Sequence, residues 1–281
     1  MKKIISKNTI IPYFFIGAFI TAFAIMFAIN FVLPIRKVFL IPFYNIQQRS
    51  WVWFELIICA LASYFILKTR KFTPSDLVIS VILAVTVKYT GYRDVSAIST
   101  IVCYYSACQI FREYNQQNKY FNISAQNFIK SLFFGALLAV PFAAINNLAI
   151  YMTNHQLMSF NMSNIWKSAF SALSPGISEE IIFHFFLLAF ITYIFKGNIP
   201  KNKATIFLVY FLCVVPHCLI HLPVVFTQNF TFGIFILLFT SLLFGTPMVW
   251  LVKNKNLQTA IAFHWMVDFI RFIFVIYNNS L

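Results

Sequence analysis

Three clusters of ionisable residues interrupt apolar stretches in the second half of the chain: Glu179-Glu180 with His184, His217 with His221, and His264 with Asp268. The chain has 7 acidic residues and 5 histidines. Three of the former and four of the latter fall in these clusters. An ionisable group at membrane depth costs about 3 kcal/mol on insertion scales, so the default reading of such a cluster is a functional site. Residues four apart share a helix face. Glu180 therefore reaches His184, His217 and His221 present two imidazoles together, and Asp268 can hold the tautomer of His264 or of His221. Glu179, about 100° around the helix from Glu180, is left free to face a cavity.

Two chemistries fit these residue types. In one, Glu179 is a general base toward water while His221 and His264 steady the oxyanion that forms, with no cofactor required. In the other, His221, His264 and one carboxylate, with or without His217, hold a zinc ion that activates the water. A single pair is explained as well by a polar contact between helices, worth under about 1 kcal/mol on average. Three pairs in order between residues 179 and 268 favour a site.

The elements that must position them are membrane helices. A chain that is 60% hydrophobic and 10% charged, with 36 Phe, is too apolar to cover a soluble surface. Apolar runs of about 17 to 25 residues match the hydrocarbon core. They are read at Ile10–Leu33, Trp51–Leu67, Asp76–Tyr89, Val95–Phe111, Phe128–Met152, Ile177–Phe195, Ala204–His221, Phe230–Val252 and Leu257–Tyr277. The expected fold is all-α, a polytopic integral membrane bundle of about 8 to 9 spans forming one domain over residues 1–281. With the N-terminus in the cytoplasm, 14 of the 21 basic residues fall inside: Lys2, Lys3, Lys7, Lys68, Arg70, Lys71, Arg112, Lys119, Lys130, Lys196, Lys201, Lys203, Lys253 and Lys255. The net charge of +14 then reflects topology and contact with anionic lipids. Nucleic acid binding is not implied, because no basic block interleaves with aromatics in a soluble domain.

The basic N-terminus and first apolar run read as a retained span rather than a cleaved signal, because no small-x-small site precedes Pro34. Cys59, Cys103, Cys108, Cys213 and Cys218 lie in apolar segments and read as small buried hydrophobes, neither disulfides nor ligands. The one longer connection, Thr153–Leu173, holds Asn154, His155, Asn161, Asn164, Trp166 and Lys167 and reads as a loop or an interfacial helix, with His155 read as a solvated loop residue. Asp76, Asp94 and Glu113 sit at span ends near Arg93 and Arg112 and read as solvated or paired. Glu55, four residues into the second span, reads as an ion pair with a neighbouring helix or as a functional group. Ser174 as cap and Pro175 at the first helical position place a helix start there.

In order, Glu179-Glu180-Ile-Ile-Phe-His184, His217-Cys-Leu-Ile-His221 and His264-Trp-Met-Val-Asp268 resemble three motifs. These are the Glu-Glu-x-x-x-Arg, Phe-x-x-x-His and His-x-x-x-Asn/Asp motifs of the CPBP family, which comprises CAAX proteases, bacteriocin-processing enzymes and lysostaphin-resistance-like proteins. The resemblance spans roughly residues 165–277. It implies an intramembrane endopeptidase in which Glu179 is the water-activating base, with Glu180, His221, His264 and Asp268 in the same site and His184 and His217 supporting it. Family members are often labelled metalloproteases, whereas the mechanism inferred for prenyl-protein members uses the glutamate without zinc. His184 stands where the family has Arg, and His217 where it has Phe. The substrate implied is a membrane-associated peptide or protein. The Lys, Asn, Ile and Phe bias suggests an AT-rich bacterium, hence the plasma membrane and peptide processing or self-immunity to a bacteriocin. The alternatives are an inactive scaffold binding a peptide or sensor kinase through the same cavity, and a transporter whose carboxylates and histidines relay protons. With nine spans, Glu179 and His221 fall near the outer ends of their helices and His264 near an inner end, so their convergence needs either a deeper start to the helix bearing Glu179 or one early segment that is not a full span.

Overall fold

The structure is a computed structural model and describes residues 7–27, 46–69, 72–91, 93–116, 120, 125–154, 158–160 and 165–276. His155, the stretch from 28 to 33 that closes the first expected span, Tyr277, and Lys2, Lys3, Arg70, Lys71 and Lys119 lie outside the described residues. In chain order the helices begin with α1 (Lys7–Phe27), α2 (Ile46–Thr69), α3 (Pro74–Gly91), α4 (Asp94–Glu113) and α5 (Ala125–Asn154). There follow α6 (Ile165–Glu179), a π-helical stretch π1 (Glu180–Phe185), and α7 (Phe186–Ile194), which form one continuous rod. The chain then builds α8 (Lys203–Ile220), α9 (Pro223–Gln228), α10 (Phe230–Thr240), π2 (Ser241–Gly245), α11 (Thr246–Asn254) and α12 (Leu257–Ile273). A short antiparallel ribbon pairs β1 (Met158–Phe160) with β2 (Phe274–Ile276), Ser159 opposite Val275.

Three asparagines start the helices after the central rod. Asn202, Asn229 and Asn256 each accept the N–H of the residue three ahead, at 2.8, 3.0 and 2.9 Å, satisfying one of the otherwise unpaired amides of α8, α10 and α12. The start expected at Ser174-Pro175 is not there. Helix α6 begins at Ile165 and carries Pro175 in its interior. Packing outweighs the hydrogen bond a helical proline forfeits. The Trp265 indole donates to the Ala169 carbonyl at 2.8 Å, and Gly176 sits directly against the Trp265 backbone, so the early turns of α6 are held to α12. Within the connection read as a loop or an interfacial helix, Trp166 and Lys167 are exposed residues of a helix.

Four helices are long and apolar enough to cross a membrane: Gln126–Leu148, Ile165–Ile194, Lys203–Ile220 and Phe230–Asn254. The eight or nine spans expected are not reached among the described residues. Helix α4 explains part of the difference, because its Ser96, Ser99, Thr100, Ser106 and Gln109 are buried against α2, α3 and α7 instead of facing outward. Every residue of the rod from Ser174 to Thr192 is buried, whereas most residues of Gln126–Leu148 and Phe230–Asn254 are not, which makes the rod the axis of the bundle and the other two its outer wall.

Basic residues gather at one end. Lys68 of α2 donates to the Tyr193 hydroxyl of α7, Gln116 after α4 donates to the Gly197 carbonyl at 2.8 Å, and Tyr13 of α1 bonds Thr205 of α8 at 2.9 Å. Lys253 lies 5.5 Å from the Tyr210 ring centroid and Lys255 lies 5.4 Å from that of Phe134. Lys68, Arg112, Lys196, Lys203, Lys253 and Lys255 thus share an end. Cys103, Cys108, Cys213 and Cys218 are buried and Cys59 is half-buried, all as free thiols.

Helices α5 and α12 pack backbone against backbone at Gly135. A Cβ on Gly135 would stand 2.2 Å from the Thr259 carbonyl oxygen, an atom that cannot step aside. Gly135→Ala is therefore expected to destabilise the protein by about 1–3 kcal/mol through overpacking, net of the roughly 1 kcal/mol that alanine contributes in a helix. Thermal melting of the variant in detergent beside wild type checks this; a raised melting temperature would contradict the close packing.

Candidate functional site

The two glutamates sit at the junction of α6 and π1, halfway along the rod. A π turn takes one more residue than an α turn, and such turns recur at functional sites. Here Glu179 is the last α residue and Glu180 the first of π1, and the two carboxylates address different helices. Both are fully buried.

Oε2 of Glu179 accepts from His217 Nε2 at 2.8 Å and from His221 Nε2 at 3.2 Å, with His264 Nε2 at 3.8 Å. Its Oε1 faces Arg93 Nη1 at 3.4 Å. Glu180 accepts from His184 Nδ1 at 2.8 Å and from His264 Nδ1 at 2.9 Å. Asp268 lies 3.6 Å from His264 Nε2 and 3.6 Å from Arg271 Nη1. All seven residues singled out from the sequence thus lie in one network, with the expected contact between Glu180 and His184 present. Two details differ from expectation. Glu179 is not free, because imidazoles and a guanidinium occupy it. His217, expected in a supporting place, makes the shortest contact to Glu179.

The depth problem resolves through the early start of α6. From Glu179 to Ile194 the rod rises roughly 22 Å, and from Lys203 to His217 helix α8 rises roughly 21 Å. The two therefore meet at one level. Helix α12 reaches that level because it starts inside the protein: Leu257, Gln258, Thr259 and Ala260 are all buried.

Beside the network lies a cavity of about 140 Å³, walled by His217, His221, His264 and Asp268 on one side and by Asn146, Thr240 and Gly245 on the other. The His221 side chain is 37% exposed and marks its open edge, whereas those of His217 and His264 are 5% and 6% exposed. Gly245 of π2 allows the opposite wall to approach α8; a Cβ there would meet Val214 Cγ1 at 2.4 Å.

Arg93 is the site residue that sequence reading missed. It was grouped with Asp94 as an interface charge, yet Asp94 pairs with Lys88 at 2.5 Å and Arg93 turns toward Glu179 from the residue before α4. Glu55 of α2 accepts from the Ser96 hydroxyl at 2.8 and 3.0 Å, just beyond Arg93. Asp76 pairs with Arg112 at 2.6 Å, as its place at a span end suggested.

One feature of the network bears on cations. Both nitrogens of His264 face carboxylate oxygens, so a neutral ring turns a lone pair on one of them; a shared proton or a cation removes the conflict. Ligand atoms of Glu179, His217 and His264 lie within 4.8 Å of one another, and two imidazoles with a carboxylate form a known zinc donor set. The His264 Nδ1–H bond to Glu180 is the outer support that a metal-bound histidine needs. The buried His217 Nδ1 has no such support. Of the expected set, His221, His264 and one carboxylate with or without His217, the geometry groups His264, His217 and the Glu179 carboxylate and leaves His221 outside.

The fold and site define a helical protein with membrane-length apolar helices around a buried carboxylate–imidazole cluster. The chain matches no protein-family model, no curated protein and no solved structure.

Proposed function

We propose that this protein is an intramembrane endopeptidase of CPBP type, in which Glu179 activates water for attack on a peptide carbonyl. The observation that carries the reading is the convergence of three imidazole Nε2 atoms on one buried glutamate oxygen beside a cavity. Water in that cavity gives its proton to Glu179 as its oxygen bonds the carbonyl carbon. The imidazole N–H groups then hold the oxyanion, and the proton passes from Glu179 to the leaving amine. Glu180 and Asp268 act through His264, fixing its ring. Arg93 supplies a guanidinium beside Glu179, while His184 holds the motif's arginine position beside Glu180. The substrate is an extended segment, because a helix hides its carbonyls. It is a peptide or protein of the membrane, and composition favours bacteriocin or peptide processing, or self-immunity, in a bacterial plasma membrane.

In this reading the basic end is cytoplasmic under the positive-inside rule. The catalytic core is residues 165–277 within a single domain of residues 1–281. If a zinc ion is used, Glu179, His217 and His264 would hold it and it would polarise the attacking water. His217→Phe, which restores the motif residue, separates the two routes. Under the glutamate route cleavage persists, lowered by no more than the roughly 10²–10³ that one oxyanion donor contributes. Under the zinc route stoichiometric zinc, read by elemental analysis, and cleavage disappear together.

A second reading is a scaffold without catalysis that binds a peptide or a sensor kinase through the cavity. The occupancy of Glu179 supports it, since a water must displace a donor to reach Oε2. The deciding experiment is cleavage of a peptide library by purified protein in liposomes, beside Glu179→Gln and His184→Arg. Loss with the first and retention with the second supports the protease; no cleavage by any of the three, all folded, supports the scaffold.

A further inference from the structure

A second cavity, about 550 Å³, opens at the basic end of the bundle between α1, α2 and α7. It is separate from the site just described: Tyr193 on its wall is 14 residues beyond Glu179, roughly 21 Å along the rod. Its depth is apolar, lined by Phe19, Leu61, Phe65 and Phe190. Its mouth carries Lys68 and Lys196 with Tyr64 and Tyr193. The Lys68 ammonium donates to the Tyr193 hydroxyl and stands 4.7 Å from that ring centroid and 5.8 Å from that of Tyr64. Tyr193 keeps its own hydrogen to donate outward.

Lys196 has φ of +49°, a left-handed conformation uncommon for a residue with a Cβ. The turn is completed by Gly197 at φ +80° and pinned by the Gln116 side chain. This sharp end to α7 puts Lys196 on the cavity wall.

Two features oppose an anion here. The C-terminal ends of α2, α4 and α7 gather at the mouth, and helix C-termini carry partial negative charge. Glu113 also acts on Lys68. Lysines at such ends can serve simply as counter-charges. That reading explains the lysines and leaves the cavity unexplained. The volume falls in the range of small-molecule sites, and the apolar depth under a cationic rim matches a chain beneath a negative headgroup. Basic pockets between membrane helices near the cytoplasmic face bind phosphate headgroups, and the sequence adds Arg70 and Lys71 directly after this end of α2.

We propose that the cavity is a binding site for an anionic phospholipid, its phosphate between Lys68 and Lys196 and an acyl chain against Leu61 and Phe190. The lipid then bridges α1 to α2 and α7, independently of any peptidase activity.

Purified protein is titrated with phosphatidylglycerol or with phosphatidylcholine of the same chains, and bound lipid is counted by native mass spectrometry. Wild type should bind phosphatidylglycerol at least tenfold more tightly. The double variant Lys68→Ala, Lys196→Ala should lose roughly thirtyfold, about 2 kcal/mol at 1.4 kcal/mol per tenfold, while Lys68→Arg, Lys196→Arg should keep most of the affinity. Leu61→Trp, which fills the cavity and leaves the charge alone, should weaken both lipids. Equal affinity of wild type for the two lipids, or full affinity in a folded double alanine variant, overturns the proposal. So does competition by glycerol phosphate as strong as by the lipid, which would mark a site for free phosphate. Should the alanine variant fail to fold, unchanged binding by Leu61→Trp overturns it alone.

Discussion

Glu179→Gln is expected to abolish cleavage while leaving the helices in place. A general base contributes about 10²–10⁴ in rate, so a loss within or beyond that range is predicted for turnover per folded molecule. The substitution keeps shape and volume but exchanges a charged acceptor for an amide. Oε2 now receives the N–H groups of His217 and His221 and Oε1 faces Arg93. An amide oxygen can satisfy one side, and its NH₂ then points at a donor on the other. A stability loss of about 1–3 kcal/mol follows from leaving one buried donor unmatched, and circular dichroism with thermal melting measures it separately from activity. His184→Arg in parallel reinstates the charge of the first motif at a fully buried position next to Glu180. Cleavage that survives Glu179→Gln at wild-type rate would remove the base role and with it the proposed reaction.

Much of this site was legible because helical spacing is local. The Glu180–His184 contact and the pairing of His217 with His221 follow from residues four apart, and the structure brings all three clusters together. The scarcity of acidic residues elsewhere made these clusters stand out. What could not be read were contacts set by how helices pack. Arg93 is 86 residues before Glu179, and Ser96 is 41 after Glu55; nothing in their spacing joins them. The role of His217 escaped for the same reason, since which of two imidazoles on one face lies nearer Glu179 depends on the rotation of α8 against the rod. Pro175 misled because proline at a first turn and proline inside a packed helix leave the same local trace, and only the fit of Gly176 against Trp265 distinguishes them. The span count overreached where composition served two purposes: α4 has the length of a span, but its polar residues line the protein interior.

His264→Ala should have the broadest effect of any substitution in the cluster, because this ring is the only described side chain that faces all three carboxylates. Its Nδ1–H bonds Glu180 at 2.9 Å, and its Nε2 lies 3.6 Å from Asp268 and 3.8 Å from Glu179. Removing it leaves Glu180 with His184, Asp268 with Arg271 at 3.6 Å, and Glu179 with His217, His221 and Arg93. Deleting one partner of a buried charged pair costs about 3–5 kcal/mol, mostly for the charge left behind, so the melting temperature should fall further than in Glu179→Gln. Carrying a proton on Nε2 as well, the same ring is a donor toward the oxyanion, a contribution worth about 10²–10³ in turnover. The two effects separate by substitution. His264→Gln retains one N–H group within reach of Glu180 and should recover part of the stability, yet it cannot bridge Glu180 and the cavity at once, so turnover stays low. If His264→Gln instead recovers stability and turnover in proportion, the ring only holds the helices together, and the oxyanion must be held by His217 and His221 alone.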